Sequence, residues 1–470
     1  MQVTMMMSGR IAAALVAATL IAGACSQPEP ATDRANANVL LVTIDTLRAD
    51  RLGSWGYGPG NNGHGSPALD RLATGGVRFE SAHATVPTTD PSHASILTGL
   101  YPRSHGLLVN ASRAVDDLPT LADWMRAQGK TTAAITARLG LDPPRRNLSG
   151  FDSSDSPQRE QHWRNSGEIV ELTRKWLANN GDGPWFLWVH LWEPHKPYEP
   201  PSTLRRGTMA RHDQLPRRFS DPPRFLRSAV LPGRQVETAR GLYDGEVSHV
   251  DSALGAIVKL ARQSSPRGEA PLIVVASDHG ESLAERQQET GIGFGHGTLL
   301  YEETLHVPLI MQWQGKLAPR VITTPMSLVD LAPTVAGLLN PTRPFTAQGR
   351  DLSAWLSVEA QPPVAPFYAQ RRPFRSPPLK RLAGSEEAWF ETPWKLILAE
   401  QRPPELYRLD LDPGERSNRA DQQPVRLARM SAALEAWKQA NPPARSRKDG
   451  GEADISPSER AALKALGYLD

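Results

Sequence analysis

Residues 88–100 read TTDPSHASILTGL, with Thr88, Thr89 and Ser92 set around Pro91 ahead of an apolar helical run that Gly99 closes. A hydroxyl in the turn before a helix faces unpaired backbone N–H groups and the positive end of the helix dipole, a place that holds anions well. Such a residue is either a plain cap or a nucleophile. As a nucleophile, a threonine hydroxyl is weak at neutral pH and needs a base or a metal to activate it. Two other stretches offer a metal. NVLLVTID (38–45) ends in Asp45, and PLIVVASDHG (271–280) ends in Asp278-His279 and Gly280. In an open α/β sheet, ligands sit beyond the carboxyl ends of the strands. One strand-end Asp is commonly structural; two, one followed directly by His, suggest a shared cation such as Zn, Mn, Mg or Ca.

The elements that must hold these residues alternate between strand and helix. Strands are expected at 38–45, 184–191, 271–280 and 306–313, all apolar runs. Helices are expected from Ser66-Pro67 to Gly75-Gly76, over 167–178 and over 236–262, and 120–136 reads as helix, Gly stop and strand. This alternation implies a mostly parallel sheet covered on both faces. After about residue 345 the pattern changes. Short strands at 393–400 and 405–415 read as an antiparallel appendage, followed by a helix near 424–438, a polar linker at 439–455 and a last helix at 456–468 with a Ser456/Glu459 capping box. Residues 201–240 hold nine Arg and several Pro, either a solvated excursion or a basic lid over an anionic substrate.

Bulk properties bound the function. With 39% apolar and 22% charged residues, the 470-residue chain can build a large core, and a net charge of +3 gives no case for nucleic acid. The single cysteine, Cys25, closes the short apolar run IAAALVAATLIAGAC (11–25), which follows Arg10 and reads as a signal peptide. The run resembles a bacterial lipoprotein lipobox, with Ala22 where Leu is usual, so the mature chain is expected to begin at a lipidated Cys25 with 26–37 as a polar tether. That places the protein in the bacterial periplasm or at the outer membrane, without a disulfide. The plainer alternative is cleavage with Cys25 incidental.

NVLLVTIDTLRAD, VPTTDPSHASILTGLYPRSHG, EPHKPY, SDHGESL, HGTLLYEETLHVPLI and KLI…ELYRLDLDPGERSN occur in this order. Together they resemble the sulfatase family of the alkaline-phosphatase-like superfamily, over roughly residues 37–420. The resemblance implies an α/β fold with a large, mostly parallel mixed sheet between helix layers, and a small antiparallel C-terminal subdomain. On this sequence it gives a catalytic domain at 38–345, the subdomain at 346–420 and a helical tail at 421–470. The family's catalytic turn carries a Cys or Ser that is oxidised to formylglycine, followed two residues later by Pro, then a small residue and Arg. Here that turn is Thr89, Asp90, Pro91, Ser92 and His93. Threonine cannot give formylglycine, because oxidising its β-carbon gives a ketone. Nucleotide pyrophosphatases/phosphodiesterases of the same superfamily resemble this turn more closely. They imply that Thr89 is the nucleophile and that Asn110 donates to a non-bridging oxygen of the substrate.

The resemblance then implies a metal set of Asp45, Thr89, Asp278 and His279 with His296, and a catalytic set of Thr89, Asn110, His93 and His195. Glu193, His195 and His296 are the candidates for a second ion; in sulfatases the residues matching His195 and His296 contact sulfate directly. Thr46 stands where sulfatases often have a paired Asp, which weakens a single-calcium reading. His190 is expected to be core, His249 and Asp251 structural, and His105 and His306 packing residues; YDGEV (243–247) has no assigned chemistry. The reading is an exported hydrolase using one or two divalent ions (Zn, Mn or Ca). It would cleave a sulfate or phosphate/phosphonate ester carried by a glycan or lipid headgroup, since these esters share in-line geometry. The alternatives are a non-catalytic binder of sulfated or phosphorylated glycans and a phosphoryl-group transferase.

Overall fold

A computed structural model gives the structure of the protein and describes residues 34–58, 65–110, 112–114, 118–157, 161, 163–205, 231–265, 269–374 and 382–444. The expected signal peptide with Cys25, much of the Arg-rich segment and the expected helix at 456–468 lie outside the described residues. Among the described residues, no helix is long and apolar enough to cross a membrane.

The strands in chain order are β1 (Val39–Ile44), β2 (Val77–His83), β3 (Thr131–Ile135), β4 (Ser153–Asp155), β5 (Trp185–Leu191), β6 (Leu272–Ser277), β7 (Ser282–Leu283), β8 (Phe294–Gly295), β9 (His306–Gln312), β10 (Arg320–Ile322) and β11 (Met326–Ser327). A nine-stranded sheet runs in the order β10-β2-β9-β6-β1-β5-β3-β4, with β11 also on β2. Only β9 runs antiparallel to its neighbours in this sheet. The two remaining strands, β7 and β8, form a separate ribbon.

Strand β1 lies between β5 and β6, and all three are buried along their whole length. Their continuous apolar runs fit a parallel sheet covered on both sides. Successive side chains point to opposite faces. Val39 and Leu41 enter one core with helices α2 (Thr89–Thr98), α3 (Leu121–Arg126) and α6 (Leu331–Leu339). Leu40, Val42 and Ile44 enter the other with α1 (Pro67–Thr74), α4 (Ser166–Asn180) and α5 (Gly233–Gln263). The same alternation carries Asp45, two residues past Thr43, and Asp278, two past Ala276, to the α2 side.

The Ser66-Pro67 start of α1 is as expected, but the Ser66 hydroxyl does not cap the helix. The Asp251 carboxylate on α5 accepts the Ala68 and Leu69 N–H groups instead, at 2.8–3.1 Å. Asp251 is therefore structural.

C-terminally, β12 (Phe367–Phe374), β13 (Gly384–Glu391), β14 (Trp394–Ala399) and β15 (Arg402–Arg408) form an antiparallel sheet in chain order. Helix α7 (Pro424–Ala440) packs Met430 and Leu434 against it. The strand expected at 405–415 stops at Arg408, where the Leu411 and Asp412 N–H groups turn back to donate to the Arg408 carbonyl. Strands β12 and β13 were not expected from sequence.

Candidate active site

The register of β1 on β6 pairs Ile44 with Ser277, so the next residue of each strand, Asp45 and Asp278, emerges side by side. Both are fully buried. The chain then turns sharply at Thr46, which adopts φ +59°. A β-branched residue avoids that region, and it persists only where its surroundings over-determine it. Here the Thr46 N–H donates to Asp278 Oδ1 at 3.2 Å. The Tyr243 hydroxyl donates to the Thr46 carbonyl at 2.8 Å and accepts the Arg48 N–H at 3.1 Å. The tyrosine of YDGEV thus holds the turn that aims Asp45. Gly280 is equally constrained: a Cβ there would lie 2.3 Å from the Glu303 carbonyl oxygen.

Opposite these strand ends, Thr89 is the first residue of α2, and every residue of that helix is buried. Neither threonine caps it. Thr88 occupies the capping position without a side-chain bond to the helix. The Asp90 N–H instead donates to Asn110 Oδ1 at 2.8 Å. The Asn110 Nδ2 is buried without a partner, a donor left over for something else. Ser92 ties α2 to β6 by donating to the Asp278 carbonyl at 2.6 Å. The Thr89 hydroxyl lies 3.5 Å from His279 Nε2.

The histidines divide by what each ring nitrogen faces. His279 Nδ1 donates to the Gly280 carbonyl at 2.9 Å, which leaves the Nε2 lone pair 3.4 Å from Asp278 Oδ2 and 3.8 Å from Asp45 Oδ1. His195 Nδ1 donates to the Lys196 carbonyl at 2.6 Å, and His296 Nδ1 faces Glu281 Oε2 at 3.1 Å. The His296 ring centroid is 4.4 Å from that of His279 and 5.0 Å from that of His195. Burial pushes all three imidazoles toward the neutral form. His93 sits behind Thr89. Its Nδ1 donates to the Thr89 carbonyl at 2.8 Å, and its Nε2 accepts from Thr43 Oγ1 at 2.9 Å, which itself accepts from Trp188 Nε1 at 2.9 Å. Both His93 nitrogens are thereby engaged within the fold.

Asp45, Asp278 and His279 offer ligand atoms within 4.8 Å of one another. Both oxygens of Asp45 and Oδ2 of Asp278 are buried without a hydrogen-bond partner. Burial raises the Asp45 carboxyl to about 7, against the pull of His279. Burial and then the neighbouring Asp45 raise Asp278 well above the carboxylate range. Two buried carboxylates with only imidazoles as ion-pair partners are a poor arrangement by themselves and a good one around a divalent cation. The donor set of two carboxylates and one imidazole lone pair fits Zn or Mn better than Ca, whose ligands are oxygens.

Of the expected site residues, Asp45, Thr89, Asn110, Asp278, His279, His195 and His296 converge here. Glu193 does not: its carboxylate accepts the Ser166 N–H at 3.1 Å and hydroxyl at 2.5 Å, at the start of α4. Sequence reasoning missed others. His190, expected to be core, has Nε2 3.5 Å from Asp45 Oδ2. Arg138 and Arg146, both buried, clasp Asp90, the second of them with Nε 3.2 Å from Asp90 Oδ2. Glu281 is buried beside His296, and Lys196 donates to the Phe294 carbonyl at 3.2 Å. The signal for His190 and Arg138 was their place at the carboxyl ends of β5 and β3, where ligands of such sheets bind.

The profile of the sulfatase family matches residues 37–341. Choline-sulfatase of Rhizobium meliloti is 26% identical over 462 residues, covering 84% of this chain and 85% of that one. The phosphonate monoester hydrolase from Silicibacter pomeroyi superposes with a TM-score of 0.68 at 21% identity, covering 86% of this chain and 96% of that structure. A protein solved in complex with its substrate D-glucosamine-2-N,6-O-disulfate superposes with a TM-score of 0.68 at 19% identity, covering 90% of this chain and 100% of that structure.

Proposed function

The chain belongs to the sulfatase family, and from that premise we propose that it is a metal-dependent ester hydrolase whose nucleophile is Thr89. The observation that carries this reading is the Thr89 hydroxyl at the N-terminus of α2, 3.5 Å from His279 Nε2, the same nitrogen that lies 3.4 Å from Asp278 Oδ2 and 3.8 Å from Asp45 Oδ1, oxygens that have no hydrogen-bond partner. Asp45, Asp278 and His279 would hold the cation, which when bound supplies the positive charge that favours the threonine alkoxide.

Thr89 Oγ1 forms a bond to sulfur or phosphorus while the bond to the leaving oxygen breaks in line. The positive end of α2 and the Asn110 Nδ2 face the non-bridging oxygens, where charge develops. His93 orients the Thr89 carbonyl and does not touch substrate. His195 and His296, neutral and with Nδ1 committed, have Nε2 suited to ligate a second ion or to take a proton from the water that releases the threonyl ester. Phosphate or phosphonate esters are favoured over a strict sulfatase role because Thr89 cannot become formylglycine. The likeness to a phosphonate monoester hydrolase fold agrees. A sulfated sugar, as in the disulfate complex, is the other substrate class. Export with a lipid anchor at Cys25 belongs to the same proposal and rests on the apolar run at 11–25.

The test is nitrophenol release by metal-stripped protein from the sulfate, phosphate monoester, phosphate diester and phosphonate esters, with Zn, Mn, Mg or Ca added in turn. Turnover of a phosphodiester or phosphonate that is lost in Thr89→Ala supports the reading. Turnover that persists in Thr89→Ala removes the nucleophile, and metal binding without turnover of any ester favours a glycan binder.

A further inference from the structure

His190 differs from the site's other histidines in which nitrogen the fold leaves for the site. It lies on β5 opposite Thr43 of β1, so its side chain shares the face of Asp45. The Ala137 backbone N–H donates to His190 Nδ1 at 3.3 Å. A nitrogen that accepts a hydrogen bond carries no proton, so in the neutral ring the proton is on Nε2. His279 and His195 have the opposite tautomer, with Nδ1 donating to a carbonyl and the lone pair on Nε2. The His190 Nε2 is buried without a hydrogen-bond partner, 3.5 Å from Asp45 Oδ2, which also has none. The two orphaned atoms face each other, one a donor and one an acceptor.

We propose that His190 is a positioning residue for Asp45: its Nε2–H holds Oδ2, turning Oδ1 toward Asp278 and His279, and it is not itself a metal ligand. The inference rests on the metal reading above. Partners of this kind fix the orientation of a ligating group, and their loss weakens metal affinity by about 10- to 100-fold. At 3.5 Å the pair is within ion-pair range and longer than a formed N–H···O hydrogen bond, so a shift of a few tenths of an ångström closes it.

The two ring nitrogens can be separated by substitution. His190→Gln puts an amide donor near the Nε2 position, whereas His190→Asn keeps an acceptor for the Ala137 N–H and has no donor that reaches Asp45. His190→Leu removes both. Metal-stripped wild type and variants are titrated calorimetrically with Zn²⁺ alone, and the urea midpoints of the metal-free proteins report folding. The expected result is near wild-type affinity for Gln, and affinity weaker by about 10- to 100-fold for Asn and Leu. Asn or Leu binding as tightly as wild type, or Gln binding no tighter than Asn and Leu, overturns the role of His190. Wild type that takes up no ion overturns the metal reading instead.

Discussion

Two regions of this molecule bury several charges, and they do so in opposite ways. Beneath the C-terminal sheet, Lys395 Nζ lies 2.9 Å from Glu302 and 2.8 Å from Glu415, and His83 lies 2.9 Å from the other Glu302 oxygen. Close by, Glu386 meets Arg371 at 3.1 Å and Arg402 at 2.9 Å. Burial alone pushes Glu302 up, and Lys395 and His83 reverse that and hold it well below the carboxylate range, while burial still keeps Glu415, which shares Lys395, raised to about 8. At the ends of β1 and β6 no Lys or Arg among the described residues pairs with Asp45 or Asp278; burial outweighs the pull of His279 and the more distant Arg138 on Asp45 and of His93 on Asp278, and both are pushed the other way. Acids and bases that close on one another are fastening two parts of a fold. Acids buried together with only neutral imidazoles beside them lack a charge the chain does not supply.

The comparison can be broken or sharpened by substitution. The largest effect belongs to the nucleophile. Thr89→Ala is expected to reduce ester turnover by on the order of 10³-fold or more while leaving the urea midpoint unchanged. Next is the paired region: Lys395→Met strands Glu302 and Glu415, and denaturant unfolding should show a loss of about 3–5 kcal/mol with no change in Zn²⁺ affinity. A smaller loss is expected in Asn110→Ala, where kcat falls by about 10²-fold because the orphaned Nδ2 is a transition-state donor, with metal affinity retained.

The last prediction is one of pH. In metal-free protein, Asp45 titrates at about 7 against an ordinary value of 3.8, so between these values the folded state binds more protons than the unfolded one. Stability should therefore fall as pH rises through that window. Urea midpoints taken at several pH values in chelator should show this slope, and it should flatten in Asp45→Asn. A slope that persists unchanged in the variant would assign it to other groups.

Much of this was legible in the sequence, and the gaps have physical reasons. Strand-end Asp45 and Asp278-His279, and a hydroxyl before a helix, are local patterns, and the apolar runs of β1, β5 and β6 fixed the parallel sheet. His190 was hidden because β5 is buried on both faces, so a polar residue there looks like core until the register with Thr43 is known. Arg138 lies just past the end of β3 and was passed over, and Arg146 ends a short 3-10 turn at Pro143–Arg146 that only the fold brings to Asp90. Strands β12 and β13 were missed because FYAQRRPF and GSEEAWFE carry charges that read as solvent-exposed, whereas Arg371 and Glu386 neutralise each other inside. Glu193 misled by lying two residues from His195: its carboxylate belongs to the start of α4.

The most direct test of the central claim is calorimetric titration of metal-stripped protein with Zn²⁺ near pH 6, repeated in buffers of different ionisation enthalpy. If Asp45 and Asp278 hold protons until a cation replaces them, saturable uptake should release roughly one proton or more per ion, and Asp278→Asn should abolish the uptake. No saturable uptake, or uptake unchanged in Asp278→Asn, would contradict the account.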